Sequence, residues 1–161
     1  MNAVRWFVVG CAAVLGGTAA AQDQKQAATK LPDTVLTALE KAEAIEVYSL
    51  NGSTNDEDET GWHATRLLGK TSVKGEAAKG LVTALKKGLK DEAEKADCFT
   101  PRHGIRVSHD GKTYDMLICF ECRWMYVYTG EKEKPLVVVI SDSPQERINQ
   151  ILTDAKVQIA K

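Results

Sequence analysis

An Asp110-Gly111 pair between two alternating apolar runs constrains this chain more than any other feature. Both loop residues of a type I′ turn need positive φ, which Asp tolerates and Gly adopts freely, so the pair specifies a tight β-hairpin. With these two residues as the loop, facing residues have numbers that sum to 221. Val107 then stands opposite Tyr114 and Ile105 opposite Met116, an apolar cross-strand stack, while Arg106 stands opposite Asp115 on the other face. Packing and charge select the same register, and a slip of one residue would destroy both.

Carried outward, this register places residue 98 near residue 123, so Cys98 approaches the Cys119/Cys122 pair. Pro101 has no N–H to donate and breaks the ladder locally, which permits a small shift. On a straight strand Cys119 and Cys122 would point to opposite faces. They meet only if the chain turns at Phe120-Glu121, and such a turn would also start the next strand at Trp124.

The flanking sequence supplies the remaining elements. Asp33 is a candidate N-cap for a helix carrying Val35, Leu36, Leu39 and Ala42. Residues 45–50 alternate as a strand, 51–61 form an acidic loop, and 62–73 read as a second strand interrupted by Gly69. Gly75 to Lys90 form a helix with Ala78, Leu81, Val82, Leu85 and Leu89 on one side; Lys79, Lys86, Lys87 and Lys90 cover its solvated back. Trp124 to Tyr128 and Leu136 to Ile140 are strands, the latter apolar throughout and therefore expected at the sheet centre. Ser143-Pro144-Gln145-Glu146 has the pattern of a capping box before a last helix with Ile148, Ile151, Leu152 and Ala155 inward. The expected architecture is a single α+β domain, an antiparallel sheet with helices packed on one face, in the order α-β-β-α-β-β-β-β-α.

The first residues carry a different signal. Arg5 precedes an apolar run from Trp6 to Leu15, and small residues end at Ala19-Ala20-Ala21, which fits signal cleavage between Ala21 and Gln22. The run is shorter than the roughly 20 residues that span a bilayer. Val8-Val9-Gly10-Cys11 resembles a lipidation site, but too few apolar residues separate it from Arg5, which disfavours lipid anchoring at Cys11. The division expected is a signal peptide over 1–21, a disordered tether over 22–30 and the folded domain over 31–161, exported to the periplasm or secreted. Export would leave 140 residues with a net charge of −2, which provides no electrostatic footprint for nucleic acid and no polybasic membrane patch. No second apolar window is long enough to span a membrane.

Export would also leave three cysteines, Cys98, Cys119 and Cys122, an odd number for an oxidising compartment. Three arrangements use them. A metal site would take all three thiolates with His103 or His109, a Cys₃His set suited to zinc. A disulfide would join Cys98 to Cys119 or Cys122 and leave one buried thiol. A redox couple would use Cys119 and Cys122, although working CxxC pairs sit at a helix N-terminus and this one follows an apolar strand. His103 falls on the Ile105/Met116 face if its strand runs straight, which points it into the core. Arg102 and Glu121 are candidates for an anion or polar contact, or simply for pairing with each other. Asp56-x-Asp58-x-Thr60-Gly61 imitates the start of a calcium loop, but Leu67 occupies the position that needs a bidentate Glu. His63, at the edge of the acidic loop, reads as a surface residue. No catalytic order of Ser, His and Asp, nucleophile elbow, P-loop or dinucleotide fingerprint occurs.

The segment Cys98-Phe99-x-Pro101-Arg102-His103-Gly104-Ile105, followed by Gly111-Lys112 and Ile118-Cys119-Phe120-Glu121-Cys122, resembles a group of small exported bacterial proteins of unknown function. That group carries a C-[FY]-x-P-R-H segment, a hairpin and an I-C-F-x-C segment. The resemblance implies export and a meaningful cysteine cluster, and it implies no activity. The expectation is a non-enzymatic binding or structural module stabilised at the cysteine cluster, the rival a zinc-binding or thiol-dependent protein using the Cys₃His set. The ligand or protein partner is not specified by any motif.

Overall fold

The hairpin forms in the expected register and becomes the middle of a six-stranded antiparallel sheet. The computed structural model describes residues 30–55, 61–130 and 134–160. Within them the chain runs α1 (Asp33–Lys41), β1 (Ala44–Asn55), β2 (Thr65–Lys74), α2 (Gly75–Gly88), β3 (His103–His109), β4 (Lys112–Cys119), β5 (Trp124–Tyr128), β6 (Leu136–Val139) and α3 (Gln145–Asp154). The strand order is β2-β1-β3-β4-β5-β6, every pair antiparallel. Asp110 and Gly111 both take positive φ, at 50° and 72°, as the type I′ turn requires. Val107 faces Tyr114, Ile105 faces Met116 and Arg106 faces Asp115.

Alternation along the strands divides the sheet into two faces. Ile45, Val47, Ile105, Val107, Met116, Ile118, Met125 and Val127 point to one side, where they form a single core with the apolar stripes of all three helices. Each helix reaches this core with three or more buried side chains, which is where most of its stability arises, because helices this short are marginal alone. The other face carries Tyr48, Leu50, Leu117, Cys119, Trp124 and Val137, and no helix among the described residues lies on it. Connecting segments cover it instead.

Several local expectations are corrected. β1 continues through Asn55, so the first part of the expected acidic loop is strand. Residues 56–60, with Asp56, Asp58 and Thr60 of the calcium-like pattern, lie outside the described residues, as do the expected signal and tether over residues 1–29. The interruption near Gly69 is a bulge: Ser49 pairs with Gly69 but Leu50 pairs with Leu67, leaving Leu68 extra. Asp33 is the first residue of α1 and does not cap it, and α3 starts without a side-chain cap. Ser141 Oγ donates to Asp91 and accepts from the Ser143 hydroxyl, so these hydroxyls tie the start of α3 to the segment after α2 and do not close a capping box. The apolar strand expected at the sheet centre is the edge strand β6. Its composition follows from cover on both faces: Val138 sits in the helix-side core and Val137 in the cluster on the other side.

Candidate functional site

The three cysteines meet on the helix-free face, at the open end of the hairpin. Cys119 ends β4 and points to that face with Leu117 and Asp115. The chain then turns through residues 120–123, with Arg123 at φ 60°, and re-enters the sheet so that Trp124 pairs with Cys119. This turn at Phe120-Glu121 brings Cys122 back over Cys119, with Cα atoms 5.3 Å apart. The Cys122 N–H donates to Cys119 Sγ at 3.3 Å. Cys98 arrives from the connection between α2 and β3, its Cα 5.6 Å from that of Cys122. Both separations suit a disulfide. All three Sγ atoms lie within 4.8 Å of one another, and Cys122 is in disulfide reach of each of the others. A sulfur forms only one disulfide, so Cys98 and Cys119 compete for Cys122. Cys119 and Cys122 are sealed, at 2% and 1% exposure, beneath Trp124, Val137, Phe99 and Tyr126, whereas Cys98 is exposed.

The connection bearing Cys98 has neither helix nor strand from Asp91 to Arg102, yet it is firmly seated on the sheet. Trp124 Nε1 donates to the Ala96 carbonyl at 2.8 Å, and the Ala96 N–H donates to the Cys122 carbonyl at 3.3 Å. Phe99 stacks on Tyr126 with ring centres 3.7 Å apart. The Lys95 ammonium lies 5.2 Å from the Trp124 ring centre. Arg102 pairs with Glu121, and its backbone bridges Leu50 and Ile118. At Gly52 a side chain would meet the Pro101 carbonyl oxygen at 2.5 Å, so a glycine is what lets the strap lie this close to β1. The strap thus crosses from the helix layer to the opposite face, and Cys98 near its middle meets Cys119 and Cys122.

The histidines stand elsewhere. His103 faces the helices, 2% exposed, with Nε2 donating to Asn149 Oδ1 of α3 at 2.7 Å and its ring tilted against Phe120. Its Nδ1 is buried without a partner among the described residues. Burial, reinforced by the nearby Arg102 charge, lowers its pKa despite the opposing Asn149 bond. The sheet separates it from Cys119, so it is not brought to the sulfurs and the Cys₃His set reduces to three sulfurs. His109 sits at the hairpin tip, 3.2 Å from Asp110.

Sequence reasoning missed a second cluster on the helix-free face. Arg106 makes two hydrogen bonds of 2.7 Å to Asp115, and His63 Nε2 donates to the same carboxylate at 2.7 Å. Trp62 stacks on Tyr48 at 4.3 Å and His63 on Tyr128 at 3.9 Å, while the Arg106 guanidinium lies 5.7 Å from the Trp62 ring centre. Trp62 rests directly on Gly104, where a Cβ would come within 2.2 Å of its ring. Burial raises the Asp115 carboxyl pKa, but the Arg106 and His63 hydrogen bonds outweigh it and hold the net value low. The Arg106–Asp115 pair was legible from the hairpin register. His63 was not, because it reaches the site through a turn in which His63 and Ala64 both take positive φ.

No family model, curated protein or solved structure matches the chain.

The chemistry available is therefore that of the residues themselves. Three sulfurs at this spacing serve either a disulfide with a spare thiol or three corners of a metal site. Cysteines at disulfide distance fit an oxidising location, and no described helix is long and apolar enough to cross a membrane.

Proposed function

We propose that this chain is an exported, non-enzymatic structural or binding module whose helix-free sheet face is closed by a strap that a Cys98–Cys122 disulfide locks in place. The observation that carries this reading is the sealing of Cys119 and Cys122 under aromatic and aliphatic side chains at the point where the strap crosses the sheet. The apolar run and small-residue site before Gln22, together with the resemblance of the 98–122 segment, support export into a compartment where a disulfide persists.

Loop entropy favours this linkage over its competitor. Closing Cys98 to Cys122 spans a sequence separation of 24, which in the chain-entropy model stabilises the fold by about 3.5 kcal/mol. Closing Cys119 to Cys122 spans only 3 and contributes about 2 kcal/mol on the same model. The longer bridge also fastens the strap, which the shorter one leaves to its noncovalent contacts. Urea unfolding of the oxidised protein and of Cys98→Ser tests this. The variant is expected to lose about 1.5 kcal/mol, the difference left after Cys119 takes over Cys122, with faster amide exchange over residues 92–102. Unchanged stability and unchanged exchange would contradict the role given to the bridge.

A zinc-binding reading rests on the mutual approach of the three sulfurs within 4.8 Å. Three thiolates would supply three of the four tetrahedral corners, and neither His103 nor His109 supplies the fourth.

A further inference from the structure

We propose that Cys98 is a site of reversible mixed-disulfide formation with low-molecular-weight disulfides, made available by exchange inside the three-sulfur cluster. This deepens the disulfide reading above and rests on it.

The geometry points to exchange because one sulfur is shared. Cys122 Sγ is in disulfide reach of both Cys98 and Cys119, whose own sulfurs lie close by. With Cys98 bonded to Cys122, Cys119 is the spare thiol, and the Cys122 N–H points at its sulfur from 3.3 Å. A backbone donor aimed at sulfur offsets part of the cost that apolar burial places on the thiolate, the nucleophilic form. In the exchange step the Cys119 sulfur attacks Cys122 Sγ while its proton passes across the cluster to Cys98, the exposed sulfur, which releases it to solvent. The Cys119–Cys122 bond forms, the Cys98–Cys122 bond breaks, and the electron pair leaves on Cys98 as a thiolate. Oxidation state is conserved across the three sulfurs, so this step needs no oxidant.

The two ends of the relay differ in access. Cys119 is buried and unavailable to an external reagent, whereas Cys98 is exposed. The leaving thiolate is therefore the one that water stabilises and that a partner can reach. In the second step Cys98 attacks one sulfur of an external disulfide, forms a mixed disulfide and releases the other half as a thiolate. Meanwhile the Trp124–Ala96 hydrogen bond and the Phe99–Tyr126 stack keep the strap near the sheet, so the return reaction remains available. The cluster converts an inaccessible thiol into an accessible one.

The test uses the oxidised full chain and oxidised glutathione, with acid quenching and peptide mapping before and after exposure. Before exposure the map should show Cys98 joined to Cys122. Afterwards it should show one glutathionyl group on Cys98 and a Cys119–Cys122 linkage. Cys119→Ser cannot relay and should retain its Cys98–Cys122 bridge and take up no glutathione; Cys98→Ser, with Cys119 joined to Cys122, should also take up none. A glutathionyl group on Cys119 with Cys98–Cys122 intact, or no uptake by the unsubstituted chain, would overturn the exchange while leaving the structural disulfide standing. A Cys119–Cys122 linkage alone before exposure would overturn both the relay in the direction stated and the Cys98–Cys122 bridge proposed above. Three free thiols before exposure would overturn both the relay and the disulfide reading beneath it.

Discussion

Asp115 is a buried carboxylate that holds its charge because two neighbours donate to it. Arg106 approaches as a planar fork and His63 from the covering turn, and together they outweigh desolvation. Its folded pKa lies below the unfolded value, so its contribution to stability is present above about pH 4 and is lost as pH falls through the folded value. Asp115→Asn should cost about 2 kcal/mol at neutral pH, moderated by the partial exposure of Arg106. Urea midpoints of the two proteins should converge on acidification below pH 4, and a gap that stays constant would refute this account of the pair. His103 behaves in the opposite chemical sense, since burial favours its neutral form. Its folded pKa lies below its unfolded value near 6.5, so protonation of the unfolded chain drains stability as pH falls below that value. His103→Gln should lose less stability than the unsubstituted protein between pH 7 and pH 5 in the same assay. The straight-strand argument placed His103 toward the core, and the carboxylate pair was visible in the hairpin register. Asn149 as its partner was not legible, because nothing in one dimension relates α3 to the start of β3.

At the scale of elements, the hairpin owes its register to its turn. Gly111 sits at φ 72° with open space around it, so a substitution there acts through backbone strain alone. Gly111→Val should destabilise by roughly 1–2 kcal/mol, the cost of a left-handed conformation for a side chain that resists it. Thermal unfolding measures the loss, and an unchanged midpoint would show that the turn does not set the register. Gly104 is the converse case, ordinary in backbone but covered by the Trp62 ring. Gly104→Ala should displace Trp62, cost about 1–3 kcal/mol and shift tryptophan emission toward that of an exposed ring; retention of emission would mean the ring is not seated there. The strand β6 shows why apolar composition misplaced it. Composition reports cover on the faces, and an edge strand covered on both faces reads like a central one.

At the scale of the whole molecule, the α+β element order, the pairing of the central hairpin and a one-sided helix layer were encoded in local periodicity and turn chemistry, whereas the order of strands across the sheet was not. The convergence of three sulfurs was also legible, because it follows from extending one register. What local pattern does not encode is the second covering layer. Tyr48, Leu117, Trp124 and Tyr126 alternate as any outward-facing strand residues do, and only the seated strap and the Trp62 turn make that face an interior. The strap has no periodicity to reveal its path, and Cys98 within it meets Cys119 and Cys122. The most direct test is the intact mass of the protein, expressed into an oxidising compartment, under non-reducing, native conditions, combined with metal analysis. A chain lighter than its fully reduced form by two hydrogens, carrying one free thiol and no bound metal, is the predicted result. One stoichiometric zinc with all three thiols free of disulfide would contradict it.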